Sequence, residues 1–193
     1  MLKGKNLILR PVERKDLDTL RYWRTSPEVS RHYQDRLQIS QVEQEAWFEA
    51  VSQSTRDYYF VVEKDGEFLG VCNVADISWV HRTAKMGIYF IPRQEANSFL
   101  PVEAAILLLD YAFYCLNLRK ICGAALATNQ RSITFHNGLG FVNEGVLKQH
   151  VFHQGLYQDI VQQALFRQDY EKATKDYRQV VLPSDSEEPA SQD

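Results

Sequence analysis

Residues Tyr58 to Val62 form an unbroken aromatic and β-branched run, Asp65-Gly66 follows closely, and Phe68 to Ile77 resumes the apolar pattern. Aromatic and β-branched side chains suit a pleated, half-buried surface, and an Asp-Gly pair supplies the left-handed backbone of a two-residue turn. The segment predicts an antiparallel hairpin. A hairpin is not stable alone in water, so one of its faces has to be covered by other elements. Further along the chain, Val102 to Leu116 is apolar nearly all round, which marks a buried helix.

The remaining elements read outward from this pair. Leu7 to Leu9 predicts a first strand closed by Pro11, and Leu17, Leu20 and Trp23 then recur on one helical face. Ser40 with Glu43 is a capping box opening a second helix, with Val42, Ala46, Ala50 and Val51 as its apolar face. Met86 to Ile91 is a strand ended by Pro92, and Ile121 to Ala127 is another. Asn129 to Asn137 is a short helix stopped by Gly138 and Gly140, and two further strand candidates flank Gly155. The resulting order, β α α β β β α β α β β, predicts an α/β (α+β) domain with a mixed sheet and helices on its faces. No internal repeat interrupts it, and 193 residues suit one core. The expected domain spans residues 1–175, followed by an acidic, disordered tail over 176–193, whose stretch beyond Pro183 is acidic, holds Ser and Pro and is poor in apolar residues.

Charge narrows the partners. The chain carries 22 basic and 25 acidic residues; removing Asp185, Glu187, Glu188 and Asp193 of the tail leaves 22 against 21. A neutral body has no field to hold a polyphosphate, so no nucleic-acid partner is expected. The most apolar stretch is broken by Glu103 and Asp110, short of membrane-spanning length, and the first residues lack the apolar core of a signal peptide. The three cysteines, Cys72, Cys115 and Cys122, are an odd number set among apolar or small residues. They read as reduced core thiols, so a cytoplasmic protein with no membrane partner is expected. His150 and His153, three apart on a strand, point to opposite faces, and no cysteine–histidine cluster has zinc spacing, so no metal is expected.

The stretch Ala124 to Gly145, AALATNQRSITFHNGLGFVNEG, resembles the strand, Asn-led helix and Leu-Gly-Phe turn of GNAT acetyltransferases. Leu20-Arg21-Tyr22-Trp23-Arg24, Gly70 to Ile77, Gly87-Ile88-Tyr89 and Gly155 to Asp159 fall in the order of one branch of that superfamily. The branch holds ribosomal-protein N-terminal acetyltransferases and amino-sugar acetyltransferases of the pseudaminic-acid pathway. The resemblance covers roughly residue 5 to residue 170. It implies a single GNAT-like domain with a mostly antiparallel sheet whose middle strands splay. It also implies transfer of an acetyl group from acetyl-CoA to a primary amine of a small molecule, an amino sugar first and a protein N-terminus second, by a monomer or homodimer.

Within that resemblance, Met86 to Ile91 and Ile121 to Ala127 are the splayed strands. Acetyl transfer needs a backbone N–H to polarise the carbonyl, a group to take the amine's proton and one to protonate the thiolate. The implied cofactor contacts are Ile88, Phe90 and Ile91 on the first strand, Asn97 and Ser98 before the central helix, and Asn129 on the pantetheine arm. Asn129 reads equally as a helix N-cap, and Gly87 equally as a strand bulge. Aligning the central helix puts Ala96, Phe99 and Pro101 where the family carries its phosphate-binding Arg or Gln and glycines. Pro101 lacks an N–H, Phe99 is bulky, and Arg93 is a candidate substitute or a solvated arginine.

Phe135 stands where the family's tyrosine acid is expected, and Lys85 where a carboxylate is frequent. His136 and Tyr89 remain as the candidate catalytic groups. Trp23 and Arg24 match an acceptor-side segment, an aromatic beside a planar cation that suits a sugar nucleotide, while a core Trp with an exposed Arg is the simpler reading of the same pair. Asp76 and His81 complete the acceptor candidates. The joint loss of phosphate loop, tyrosine and carboxylate leaves a second reading, a GNAT-fold binding or regulatory protein without turnover. Phe99 filling the gap would favour that reading, and an open gap would favour catalysis.

Overall fold

The computed structural model describes residues 1–31, 38–91 and 99–182. In chain order its elements are β1 (Leu2–Lys3), β2 (Ile8–Pro11), α1 (Leu17–Thr25), α2 (Pro27–Ser30), α3 (Gln41–Ser52), β3 (Tyr58–Lys64), β4 (Glu67–Ser78) and β5 (Thr83–Phe90). They continue with α4 (Leu100–Asp110), β6 (Lys120–Leu126), α5 (Gln130–Gly138), β7 (Val142–His153), β8 (Leu156–Phe166) and α6 (Arg167–Val181). Among the described residues the strands make one sheet in the order β1-β2-β3-β4-β5-β6-β8-β7, antiparallel except for β5 beside β6. This is the mixed, mostly antiparallel sheet that the pattern predicts.

The hairpin forms as expected: Asp65 and Gly66 take φ of 51° and 81°, and β3 and β4 pair from Tyr58–Val74 to Lys64–Glu67. One face of the sheet carries Phe60, Val62, Cys72 and Met86 against α4, whose Ile106 and Leu108 are fully buried. A wider π-helical turn, Tyr111–Cys115, prolongs α4 and adds Phe113 to this core. The other face presents Val71 with Tyr59, Phe68 and Tyr89 to Leu17 and Leu20 of α1 and to Trp47 and Phe48 of α3. Helices therefore cover both faces.

Three expectations are corrected. The capping box at α3 is present, with Ser40 N–H donating to Glu43 Oε2 at 2.7 Å and Glu43 N–H to Ser40 Oγ at 3.2 Å. Its buried face, however, is Gln44, Trp47, Phe48 and Val51, while Val42 is 79% exposed and Ala46 and Ala50 face solvent. Two aromatic rings remove far more area from water than a valine and two alanines, so they decide how the helix rolls. Cys115 is exposed and Cys122 only half-buried, and all three thiols are free.

The boundary expected at residue 175 falls inside α6. That helix buries Tyr170, Thr174 and Val181 in the main core, and Val181 O accepts from Lys5 N–H at 3.1 Å. The signal is present in the sequence, where Tyr170, Ala173, Tyr177 and Val181 recur at helical spacing within a charged stretch. Residues 183–193 lie outside the described residues.

Candidate active site

The ladder between β5 and β6 is short: Thr83 pairs with Lys120, Ala84 with Ile121 and Lys85 with Cys122, and there it ends. Beyond it β5 stays paired to β4 as far as Phe90, and β6 to β8 as far as Leu126. The two strands diverge, and a cleft of about 620 Å³ opens between them.

Strand alternation divides the cleft into two walls. Met86 is in the core under α4, with Ile88 and Phe90 packed on it, which sends Lys85, Gly87 and Tyr89 to the side of α1 and α3. Arg24, Glu28, Val29 and Arg31 close this upper wall together with Tyr59 and Asn73. The opposite wall comes from α5, through Asn129, Arg131, Ser132, Phe135 and His136, and from Pro101 at the start of α4. A side chamber of about 70 Å³ continues from the upper wall between Arg24, Tyr59, Asn73 and Tyr89, under Gln44 and Trp47.

The backbone of β5 is oriented by its neighbour. Ile91 N–H donates to Leu69 O at 2.8 Å, and the Tyr89 carbonyl crosses Gly70 where any Cβ would collide with it. Both groups point to β4, so alternation turns the N–H and C=O of Ile88 and Phe90 into the cleft. Ile91 lines the cleft with its side chain, its N–H being engaged elsewhere. Gly87 is not a bulge, because the β4–β5 register runs evenly through its pairing with Asn73. Its missing Cβ makes room for the Asn73 amide: a methyl there would lie 2.5 Å from Oδ1.

His136 is 5% exposed. Its Nδ1 lies 2.8 Å from Gln163 Oε1, its ring stacks on Phe141 with centroids 5.1 Å apart, and its Cε1 edge lies against Gly123. Burial holds its pKa below the ordinary histidine value of 6.5, with the Gln163 bond pulling the other way. Asn129 does cap α5, its side chain accepting from Ser132 N–H at 3.1 Å, and it lines the cleft as well.

Trp23, Asp76 and His81 do not line the cleft. Trp23 is one helical step, about 100°, from Arg24 and lies edge-on to Tyr22 at 5.2 Å. Asp76 and His81 sit at the paired end of the β4–β5 hairpin, before the strands part, and Asp76 reaches the wall only through its ion pair with Lys85 at 2.7 Å. Asn97, Ser98, Ala96 and Arg93 lie outside the described residues. Phe99 is 61% exposed and is not part of the cleft lining, so it does not fill the gap.

Sequence reasoning missed Tyr59, Asn73, Glu28, Arg31 and Arg131. Asn73 had a signal, being a lone amide inside the apolar run Val71–Val74; the arginines had none. Among the described residues no group of three or more His, Cys, Asp or Glu is placed to hold a metal ion, and no helix is long and apolar enough to cross a membrane.

A mixed sheet whose two parallel central strands part over a cleft, with backbone N–H groups turned into it, is the architecture of acyl-CoA-dependent N-acetyltransferases. The chain belongs to the GNAT acetyltransferase family: residues 6–142 match the model of the acetyltransferase (GNAT) domain. It is 30% identical over 182 residues to the spermidine N(1)-acetyltransferase of Escherichia coli K12, covering 94% of this chain and 97% of that protein. It is 27% identical over 171 residues to the spermidine N(1)-acetyltransferase of Vibrio cholerae, covering 86% and 96% of the two chains. The crystal structure of the Vibrio cholerae spermidine N-acetyltransferase in complex with CoA and spermine superposes with a TM-score of 0.79 at 26% identity, covering 86% of this chain and 98% of that one. The protein is an acetyl-CoA-dependent N-acetyltransferase that acts on an amine.

Proposed function

We propose that the acceptor is a small primary amine that also carries negative charge, with a phosphate- or nucleotide-linked amino sugar preferred. The observation behind this reading is the charge of the upper wall, where Arg24, Arg31 and Lys85 stand against Glu28 among the described residues. Asp76 offsets Lys85, so the cationic character of the wall comes from its guanidinium groups, with Glu28 the one carboxylate of the described lining. Like charges repel and opposite charges attract, so a cationic wall favours an anionic amine over a polycation. Guanidinium groups also match phosphate oxygens in shape.

In this reading Ile88 and Phe90 hold the acyl donor along β5 and polarise its carbonyl, Asn129 and Arg131 support the donor from α5, and Pro101 borders the phosphate end. These groups fit acetyl-CoA: an open cleft of about 620 Å³, inward backbone N–H groups and a cation on the donor wall. Tyr89, Tyr59 and Asn73 orient the amine from the other wall. His136 handles the proton, being the one group on the donor wall, among the described residues, with an ordinary pKa near neutrality.

A second reading is favoured by the relatives, whose names give spermidine as acceptor. A panel containing a nucleotide-linked amino sugar, an amino-sugar phosphate, spermidine, spermine and a short peptide with a free N-terminus, assayed by thiol release from acetyl-CoA, separates the two. The anionic amines should give the highest kcat/KM, and Arg31→Glu should lower it for them while raising it for spermidine. Spermidine as the best substrate of the unaltered protein would overturn the acceptor assignment while leaving the acetyltransferase activity intact.

A further inference from the structure

Gln163 is 1% exposed, on β8 one strand away from the cleft. Both ends of its amide are occupied: Nε2 donates to Asn137 Oδ1 at 2.8 Å, and Oε1 faces His136 Nδ1 at 2.8 Å. A carbonyl oxygen only accepts, so the hydrogen between Gln163 and His136 belongs to the imidazole. The ring has no freedom to turn away. Phe141 stacks on its face, and Gly123 lies so close that a methyl there would be 2.9 Å from Cε1, 3.1 Å from Nδ1 and 3.6 Å from Nε2. His136 lines the cleft while Gln163 and Gly123 do not. Nδ1 is the nitrogen taken by Gln163 and the nearer of the two to Gly123, and Nε2, farther from Gly123, is the one left for the cleft.

We infer that Gln163 is a positioning residue: held by Asn137, its carbonyl keeps the His136 proton on Nδ1 and so presents an unprotonated Nε2 to the acetyl-transfer cleft. This rests on the reading of His136 as the proton handler. An amide suits the task because its carbonyl accepts the Nδ1–H from neutral imidazole as well as from imidazolium, without the stronger bias toward imidazolium that a carboxylate would impose. When the amine nitrogen bonds to the acyl carbon and the C–S bond breaks, Nε2 takes the proton that the amine loses. The imidazolium, still bonded to Gln163 through Nδ1, returns that proton from Nε2 to the departing sulfur. One proton enters and one leaves, and the ring ends as it began. The groups packed on the ring, Gly123 of β6, Gln163 of β8 and Phe135 and Phe141 beside α5, are uncharged. Among the described residues the charged side chains on the cleft walls are Arg131, Lys85, Arg24, Arg31 and Glu28, and Nε2 meets their field through the cleft.

The test begins on the unaltered protein without substrates. Long-range ¹⁵N–¹H correlation spectra at pH 8, with His136 assigned by its absence in His136→Gln, should show Nδ1 protonated and Nε2 bare. The reverse tautomer overturns the inference. Gln163→Glu places a carboxylate on Nδ1 and should move the acidic limb of the kcat/KM profile to higher pH by about one unit or more. Gln163→Met, checked for folding by its melting curve, should lose the tautomer preference and lower kcat by roughly ten- to a hundredfold with little change in KM for acetyl-CoA. Profiles unmoved by both substitutions would reduce Gln163 to packing. Full activity in His136→Gln, with the expected tautomer present, would instead remove His136 from the chemistry and with it the reading on which the inference stands.

Discussion

Lys85 stands opposite Cys122 as the last pair of the parallel ladder, and two residues further on Gly87 and Ala124 no longer pair. The cleft begins at that point, and Ala124 is an exposed small side chain on its wall. Ala124→Trp should fill the gap without overpacking the core, since the site already faces solvent. Calorimetric titration with CoA should show affinity reduced by at least about tenfold, roughly 1.4 kcal/mol, with the melting temperature nearly unchanged. Undiminished binding would mean that the donor does not lie between the two strands.

Pro101 borders the same cleft from the first turn of α4, where proline fits sterically but offers no N–H. Pro101→Ser restores an N–H at a helix start that borders the cleft. A hydrogen bond to a charged group contributes about 1.5–3 kcal/mol, so acetyl-CoA should bind about tenfold more tightly or better. Unchanged affinity would show that the phosphates are held elsewhere.

Most of the sheet was legible because its signals are local. The Tyr58–Val62 run and the Asp65-Gly66 turn need no knowledge of the rest of the chain, and neither does the Ser40–Glu43 cap. The walls of the cleft were less legible because they depend on long-range alternation. Lys85 and Tyr89 share a face with Arg24 and Arg31 only once α1 and α2 are laid over β5, and no spacing in the sequence records that. His136 was named as a candidate, yet its burial comes from Gln163 and Gly123, 27 and 13 positions away. The roll of α3 was misread for the same reason: Trp47 finds Tyr59, 5.0 Å away between ring centroids, only in three dimensions.

Glu103 ties the first strands to the central helix. Fully buried, it accepts from Asn6 N–H at 2.7 Å, from Asn6 Nδ2 at 2.9 Å and from Leu7 N–H at 3.3 Å. Gly4 passes so near that a Cβ would strike Oε1. Glu103→Gln keeps the shape but turns an amide donor towards donors, leaving a buried N–H without an acceptor. Such a loss costs about 2–3 kcal/mol, or roughly 5–10 °C of melting temperature for a chain of this size. Urea unfolding should show a lower midpoint with the same slope, and an unchanged midpoint would mean that the loop is held by other contacts.

Acid sensitivity should divide into two windows. An unfolded histidine takes up a proton as pH falls below about 6.5, whereas burial keeps folded His136 neutral to lower pH. The unfolded state then binds more protons, so this contribution to stability is complete above that value and is lost as pH falls through the folded pKa. Asp16 acts lower on the scale. Its burial works to raise its pKa, but the Arg10 guanidinium at 2.7 Å and the Glu13 N–H at 2.8 Å outweigh this and hold it below 3.8. Its contribution is complete above that value and is lost only as pH falls further. Melting temperature measured from pH 7.5 to 5 should therefore decline in the unaltered protein and decline less in His136→Gln, while Asp16→Asn should start lower and keep the unaltered protein's slope. An equal slope in His136→Gln would assign the acid-sensitive group to a residue other than His136.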